Sequence, residues 1–211
     1  MSIEIHEVGT DALHQYAEVP IVFEVTSVYR VDAINKGLSG LHLCEEKVAP
    51  PYIKDYDGYE DGGPERWLKR FDIRNWGIFL ASQDNRHVGG ATVAFNTAGV
   101  HMLSGRKDLA VLWDIRVHPD FRHCGVGTEL FRYIVKWSRK RGCKQLKIET
   151  QNVNVPACRF YAKQGCRLGE INRYGYFGNP EVEHEIMLVW YLDLQGDKYV
   201  KNISRANREF T

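Results

Sequence analysis

Hydrophobic and polar positions alternate along the chain from residue 76 onward, with a period that changes between two and about 3.6. The apolar stretches IFLAS and HVGGATVAF flank the turn residues SQDNR, a pattern that predicts an antiparallel pair of strands. The run VLWDIRV predicts a buried strand that ends at His118-Pro119. Further strands are expected at QLKIET, around INRYGYF and around EIMLVWYL.

Two helices are predicted between these strands. Residues 128–141 place apolar side chains on one helical face and basic side chains on the other, and Gly142 follows as a helix-ending glycine. The tripeptide NVP, which begins at Asn154, opens a second helix that runs to Gly165, with asparagine as the cap and proline in the first turn. Parallel strands joined through a helix, with antiparallel strands elsewhere, predict a mixed α/β sheet.

The first third of the chain has a different pattern. Residues 3–8 predict an edge strand, and residues 20–43 are expected to contain helix. From Cys44 to Arg66, a proline pair and two adjacent glycines predict a long loop. We expect one domain over residues 1–211, made of a first part at 1–75, a core at 76–192 and a polar tail at 193–211.

Charge and hydropathy narrow the function classes. The chain has 28 basic and 27 acidic residues, so no overall field favours nucleic acid or an anionic membrane. The longest apolar stretch, residues 186–192, is far shorter than the roughly 20 residues of a membrane span. No export signal is visible at the start of the sequence, and a cytoplasmic protein is expected.

Cysteine and histidine spacing shows no familiar metal motif. The five cysteines contain no CxxC pair, and the eight histidines show neither HExxH nor HxxxH spacing. The prediction is therefore reduced thiols and no metal.

The turn RHCGVG, between the strand ending at Val117 and the helix beginning near Thr128, carries the most chemical information. A glycine pair at a helix start lets backbone N–H groups point into one cavity, where an anionic phosphate fits. Leu130 occupies the third Rossmann glycine position, and a Walker lysine is missing after Gly127. Taken alone, the GxG sequence is also explained by a tight strand-to-helix turn that binds no phosphate, in which Arg122 is simply a solvated charge.

The surroundings of this turn resemble the acetyl-coenzyme A site of the GNAT superfamily of N-acetyltransferases. The resemblance rests on RxxGxG after an apolar strand, an amphipathic helix, a strand, and then the run NxPACxFYxxxG. It covers roughly residues 76–192, and DIRVHPDFR, KIETQN and the NxPACxFYxxxG run look most like the streptothricin acetyltransferase branch.

The resemblance implies the GNAT fold, a largely antiparallel sheet with a central parallel strand pair and flanking helices, and acetyl-CoA as co-substrate. Backbone groups of Ile115 and Val117 would pair with the pantetheine arm, and Asn154 would bind it too, although Asn154 also suffices as a helix cap. The pyrophosphate would be bound by N–H groups of Arg122, His123, Cys124, Gly125, Val126, Gly127 and Thr128.

Acetyl transfer to an amine requires a base, because an alkylammonium has a pKa of about 10.4. The resemblance assigns the general acid to Tyr161. Glu149, 12 residues before Tyr161, is the leading candidate base. Asp114 is the alternative, although Arg116 lies on the same strand face and could simply pair with it.

The loop of the first third combines carboxylates with tyrosines, which suits a cationic small molecule. The predicted substrate-binding residues are Asp55, Tyr56, Asp57 and Tyr59, and Glu181, Glu183 and Glu185 could add to the same rim. A streptothricin-type antibiotic is the expected acceptor. The alternatives are a protein, peptide or polyamine acceptor, or a non-catalytic acyl-CoA sensor. The apolar run EIMLVWYL suggests a homodimer.

Overall fold

The computed structural model describes residues 3–59 and 62–195 of the chain. Its strands are β1 Glu4–Val8, β2 Phe23–Ala33, β3 Leu41–Lys54, β4 Gly77–Gln83, β5 Arg86–Phe95, β6 Leu109–Val117, β7 Gln145–Gln151, β8 Arg167–Asn172 and β9 Met187–Asp193. Its α-helices are α1 Leu13–Ala17, α2 Trp67–Arg70, α3 Val126–Lys140 and α4 Val155–Lys163.

Seven strands form the main sheet, in the order β1-β4-β5-β6-β7-β9-β8. The neighbours β6 and β7 are parallel, and the other neighbouring pairs are antiparallel. Helix α3 connects β6 to β7, as a parallel pair requires a crossover connection. The predicted mixed, largely antiparallel sheet with a central parallel pair is confirmed.

Helices α3 and α4 form where their local signals predict them. The apolar side of α3 is buried against the sheet through Leu130, Phe131, Ile134 and Trp137. Helix α4 starts after Asn154, whose side chain accepts a hydrogen bond from the backbone N–H of Ala157 at 3.1 Å. This bond satisfies one of the free donors of the first turn, so the capping prediction is confirmed.

A second core lies on the other face of the sheet. It combines Tyr16 of α1 and Trp67 of α2 with residues of β4 and β6 such as Ile78 and Val111. The sheet is therefore covered on both faces around its centre. The candidate site lies where residues of the first third of the chain pack against β6 and β7.

Two expectations about the first third are wrong. Residues 20–43 contain strand β2 rather than an α-helix, and much of the predicted loop from residue 44 onward is strand β3. These strands pair with each other as a separate antiparallel hairpin. The proline pair at residues 50–51 falls where the pairing register breaks, between Val25–Tyr52 and Ser27–Lys47, so no regular ladder bond is lost there.

A buried asparagine attaches this hairpin to the main sheet. The backbone carbonyl of Asn152 accepts a hydrogen bond from the backbone N–H of Tyr29 at 2.9 Å. The side-chain amide of Asn152 donates a second one to the carbonyl of Tyr29, also at 2.9 Å. Asn152 also exchanges two hydrogen bonds with the backbone of Ile186, just before β9. Three segments far apart in sequence therefore meet at this residue.

The last two strands also differ from expectation. Strand β8 ends at Asn172, so most of INRYGYF lies in turns, one of which places Tyr176 at the candidate site. Strand β9 lies between β7 and β8, so the sheet itself accounts for its apolar composition, and the homodimer stays a prediction. Residues 196–211, most of the predicted tail, lie outside the described residues. Within residues 3–59 and 62–195, the helices are all too short or too polar to cross a membrane.

Candidate active site

The central parallel strands separate halfway along their length. Strands β6 and β7 pair from Leu109–Gln145 to Leu112–Ile148. Beyond Leu112, β6 continues to Val117 along β5, whereas β7 continues to Gln151 along β9. The divergence leaves a gap in the sheet, which is bordered on one side by the backbone of residues 113–117.

A β-bulge lies where the gap begins. Thr92 of β5 pairs with Asp114 and Val93 pairs with Leu112, so Trp113 is the extra residue. After this bulge, Ile115 and Val117 pack with the core under α3 and α4, while Asp114 and Arg116 face the first third of the chain. The bulge thus directs two charged side chains towards the candidate acceptor side.

The turn between β6 and α3 has the geometry of an anion site. His123 and Gly125 have positive φ angles of 64° and 91°. The first helical hydrogen bond of α3 runs from the N–H of Glu129 to the carbonyl of Gly125. The backbone N–H groups that come before Glu129 are therefore not used by the helix itself. A Cβ added at Gly127 would meet its nearest neighbours at 3.6 Å, so packing within the chain does not require glycine there. A turn that leaves N–H groups and space at a helix start fits a bound pyrophosphate.

Arg122 lies at the entrance of this turn. Its guanidinium donates hydrogen bonds to the carbonyls of Val22 and Val117, the latter at 3.3 Å. Burial lowers the pKa of Arg122 from its ordinary value. The side chain thus joins the start of the hairpin to the end of β6, while His123 and Cys124 are exposed on the turn.

Asp114 belongs to a buried charge network around one arginine. Arg116 donates two hydrogen bonds to Asp114, at 2.9 and 2.7 Å, and two to Asp57, at 2.7 and 3.0 Å. The Tyr16 hydroxyl donates to Asp114 at 2.6 Å. Both oxygens of Asp114 are therefore engaged, and the pairing with Arg116 considered from the sequence is confirmed.

The approach of Tyr16 to this network depends on a glycine. Gly90 lies opposite Arg116 in the sheet, and a Cβ there would be 2.6 Å from a ring carbon of Tyr16. Burial, followed by the charge of Asp114, raises the pKa of Tyr16 well above its ordinary value. Tyr16 therefore remains a hydrogen-bond donor at neutral pH.

Glu149 lies across the gap on β7, at the end of a chain of hydrogen bonds. The Tyr176 hydroxyl donates to Glu149 Oε1 at 2.8 Å and accepts from Gln151 Nε2 at 2.8 Å. Gln151 Oε1 accepts from the Tyr56 hydroxyl at 2.6 Å, and Asn154 Nδ2 donates to that same hydroxyl at 3.3 Å. The candidate base is thus connected to a predicted substrate-binding tyrosine.

Burial raises the pKa of Glu149 above its ordinary value, while the hydrogen bond from Tyr176 and the charge of Lys147 lower it in part. A carboxylate with a raised pKa is a stronger proton acceptor when it is ionised. The environment of Glu149 suits a base better than that of Asp114, whose two oxygens are already occupied.

Tyr161 is buried on α4, with its ring edge-to-face against Phe160 at 5.6 Å between centroids. Burial raises its pKa well above the ordinary tyrosine value, and the groups of Cys158 and Asp114 raise it further. The hydroxyl is therefore protonated at neutral pH.

A cleft of about 510 Å³ lies beside the Arg116 network. Its wall contains three carboxylates, from Asp57, Asp114 and Glu181, together with one arginine, Arg70. Four aromatic side chains also line the wall: Tyr56, Tyr59, Trp67 and Trp113. Carboxylates between aromatic faces are suited to a cationic ligand.

A second cleft of about 410 Å³ shares Tyr59 and Glu181 with the first. It is lined by Asp55 and by a buried ion pair between Lys54 and Glu185. The Oε2 atom of Glu185 has no hydrogen-bond partner among the described residues. Acidic surface therefore continues from one cleft to the other.

The structure brings together part of the predicted site. Tyr56, Asp57, Tyr59 and Asp114 line the first cleft, whereas Asp55 lines only the second. Two acidic residues of the expected substrate loop do not contribute, because Glu45 and Glu46 lie on β3 and pair with Arg159 and Arg30. Glu60 and Asp61 lie outside the described residues.

Sequence reasoning missed several members of the site. Gln151 lies two residues after Glu149 on the same strand face, so strand alternation could have identified it. Tyr16, Trp67, Trp113 and Tyr176 carry no signal in the linear sequence that separates them from core aromatics.

The chain matches the model of a known family and is similar to several named acetyltransferases. Residues 44–166 match the model of the Acetyltransferase (GNAT) family. A streptothricin acetyltransferase of Escherichia coli is 32% identical over 171 residues, which cover 81% of this chain and 83% of that protein. Streptothricin acetyltransferase A of Bacillus subtilis (strain 168) is 30% identical over 70% of this chain and 76% of its own length.

Solved structures show the same fold. The crystal structure of a nourseothricin acetyltransferase superposes with a TM-score of 0.71 at 22% identity, covering 92% of this chain and 99% of that one. A Bacillus anthracis protein, solved in complex with acetyl coenzyme A, gives a TM-score of 0.70 at 26% identity over 92% of this chain and 98% of its own.

Proposed function

The chain belongs to the GNAT family of acetyltransferases, and from this premise we propose that it acetylates a primary amine of a cationic small molecule of the streptothricin type. The observation that carries the proposal is the cleft of carboxylates and aromatic rings beside the divergence of β6 and β7. The reaction is direct transfer within a ternary complex, and it needs no metal.

Acetyl-CoA supplies the activated acetyl group as a thioester. We assign its pantetheine arm to the backbone of Ile115 and Val117, which borders the gap between the diverging strands. Asn154 contributes as well, through the amide that also contacts Tyr56.

We assign the pyrophosphate to the turn of residues 122–128, where N–H groups precede the first helical bond of α3. The Bacillus anthracis protein solved with acetyl coenzyme A, which has the same fold, supports this cofactor.

The acceptor occupies the acidic side. Three carboxylates line the first cleft, and two arginines, Arg70 on its wall and Arg116 behind it, offset only part of their charge. Tyr56 and Tyr59 add aromatic faces for cation–π contacts. The relatives named as streptothricin acetyltransferases support an antibiotic as the acceptor.

Glu149 acts as the base in this proposal. Its carboxylate takes a proton from the substrate ammonium, directly or through water, which frees the amine lone pair for attack. The C–N bond forms as the C–S bond breaks, and the nitrogen releases its second proton to solvent. Tyr161 then gives its proton to the departing thiolate, and both side chains return to their starting states by exchange with solvent.

Asp114 has a positioning role in this scheme. Bound by Tyr16 and Arg116, it orients the guanidinium that binds Asp57 on the wall of the cleft, rather than accepting the proton.

The test is thiol release from acetyl-CoA with a panel of amines: streptothricin, an aminoglycoside, spermidine and a peptide with a free N-terminus. The proposal expects the highest kcat/KM with streptothricin. Preferred turnover of the peptide or of spermidine would assign the enzyme to a different acceptor class. Tight acetyl-CoA binding without turnover of any amine would identify a sensor and overturn the proposal.

A further inference from the structure

The β2–β3 hairpin carries three side chains of metal-binding type on one face. Asp32 of β2 lies directly opposite His42 of β3 in the antiparallel register. Cys44 follows His42 by two residues, so both side chains project from the same side of β3. A carboxylate, an imidazole and a thiol therefore converge from two neighbouring strands.

The distances among these side chains match those of ligands around one small ion. The Cys44 Sγ atom lies 3.3 Å from His42 Nδ1 and 3.8 Å from Asp32 Oδ2, and the three ligand atoms lie within 4.8 Å of one another. In a tetrahedral zinc site, with bonds of about 2.3 Å to sulfur and about 2.0–2.2 Å to nitrogen or oxygen, neighbouring ligand atoms are roughly 3.5 Å apart.

We propose that Asp32 Oδ2, His42 Nδ1 and Cys44 Sγ form a binding site for a divalent, thiophilic cation, with Zn²⁺ as the fitting ion. Binding forms three bonds from the protein to the metal and releases the thiol proton to solvent. Water completes the tetrahedron. The mixed set of sulfur, nitrogen and oxygen favours zinc over calcium or magnesium, which prefer oxygen ligands alone.

The surroundings of the triad support this assignment. Arg30 binds the other oxygen of Asp32, Oδ1, and also donates to Glu46. It therefore orients the Asp32 carboxylate in the way that an outer partner orients a metal ligand. With a thiolate, two carboxylates and one guanidinium, the local charge is net negative and complements a divalent cation.

The site lies apart from the gap between β6 and β7, near the end of the hairpin remote from Tyr56. A bound ion would join β2 to β3 across the hairpin, which has few buried side chains in this region. Its function is accordingly to stabilise the hairpin, and it does not depend on the acetyltransferase proposal.

The experiment uses Co²⁺ as a spectroscopic probe on the purified full chain under reducing conditions, followed by competition with Zn²⁺. We expect one Co²⁺ per chain, a near-ultraviolet charge-transfer band from a thiolate bond, and complete displacement by Zn²⁺. Zn²⁺ should also raise the melting temperature.

Matched variants locate the site. Cys44→Ser should abolish the charge-transfer band. His42→Gln and Asp32→Asn should each weaken Zn²⁺ binding by more than roughly 10–100-fold. That range is the usual loss of affinity when a residue that only orients a metal ligand is removed. Cys124→Ser, which removes the exposed thiol of the turn before α3, should leave the band unchanged. Circular dichroism of each metal-free variant establishes that the fold is retained.

The proposal would be overturned by a thiolate band that persists in Cys44→Ser but disappears in Cys124→Ser. It would also be overturned by Zn²⁺ binding of equal strength in the wild type and in the Asp32/His42/Cys44 triple variant. Absence of any band in folded wild-type protein would do so as well. None of these outcomes bears on amine acetylation.

Discussion

At the scale of single residues, the two candidate bases differ in how many of their oxygens are occupied. Asp114 receives bonds from Arg116 and Tyr16, so both of its oxygens are already occupied. Glu149 receives one bond, from Tyr176, and is half-buried. This difference is the reason to expect proton transfer at Glu149.

The first prediction concerns the pH profile. Because the Tyr176 hydroxyl lowers the raised pKa of Glu149, Tyr176→Phe should raise that pKa further and move the acidic limb of kcat/KM to higher pH. Glu149→Gln should lower kcat/KM at neutral pH by about 10²-fold, with recovery as the amine deprotonates unaided. Steady-state rates across pH measure both effects.

Tyr174→Phe is the control for the profile, because Tyr174 is 77% exposed in the same turn region. It should leave the acidic limb in place. If Glu149→Gln shows no recovery of activity as pH rises, and Tyr176→Phe leaves the acidic limb in place, the base is a different group, with Asp114 as the first candidate.

The second prediction concerns Tyr161. Tyr161→Phe preserves the buried ring but removes the hydroxyl, so kcat should fall by roughly 10²-fold while acetyl-CoA affinity stays nearly constant. Single-turnover kinetics and calorimetry of acetyl-CoA binding separate the two quantities. Tyr133→Phe, on the exposed side of α3, is the matched control. An unchanged single-turnover rate would remove Tyr161 from the mechanism.

At the scale of elements, the junction at Asn152 is where the hairpin, β7 and the start of β9 meet. Its side chain alone makes two of the hydrogen bonds, to Tyr29 and to Ile186. Since Tyr56 follows β3 directly, the attachment of the hairpin also fixes the tyrosine that contacts Gln151 and Asn154.

The third prediction follows from this junction. Asn152→Ala should lower the free energy of unfolding by about 3 kcal/mol, because two partner groups lose their hydrogen bonds in a buried setting. Asn172→Ala, which removes one exposed local bond to Tyr174, should cost less than about 1 kcal/mol. Urea unfolding gives both values. Equal losses would show that the junction does not hold the hairpin.

At the scale of the whole molecule, a net charge of +1 conceals two surfaces of opposite character. The exposed side of α3, which follows the turn of residues 122–128, is basic, whereas the two connected clefts are acidic. This separation suits an anionic co-substrate at one surface and a cationic acceptor at the other.

The fourth prediction tests the acidic surface. Raising salt from about 50 to about 200 mM should reduce kcat/KM for a polycationic acceptor several-fold, and reduce it less for a monocationic amine, because salt screens the steering field. Glu181→Gln should weaken this salt dependence, since Glu181 lines both clefts. Glu183→Gln, in the same segment but outside the clefts, is the control. Identical salt slopes for the two variants would contradict the steering argument.

The accuracy of the sequence predictions differs between the two parts of the chain. The strands and helices from residue 76 to the end of α4 were predictable, because alternation, an amphipathic face, a capping Asn154 and the helix-ending Gly142 act within a few residues. The hairpin was not predictable from such signals. It has few buried residues of its own, and its attachment through Asn152 joins segments more than a hundred residues apart.

The sequence by itself determined the mixed sheet, the strand-to-helix turn with its two glycines, and the resemblance to an acetyltransferase, because each depends on residues close together in the chain. Only the tertiary structure decided that Arg116 holds both Asp114 and Asp57, that Tyr56 meets Gln151, and that Asp32, His42 and Cys44 converge. These contacts depend on how packed elements are placed in space, and local spacing rules carry no information about that placement.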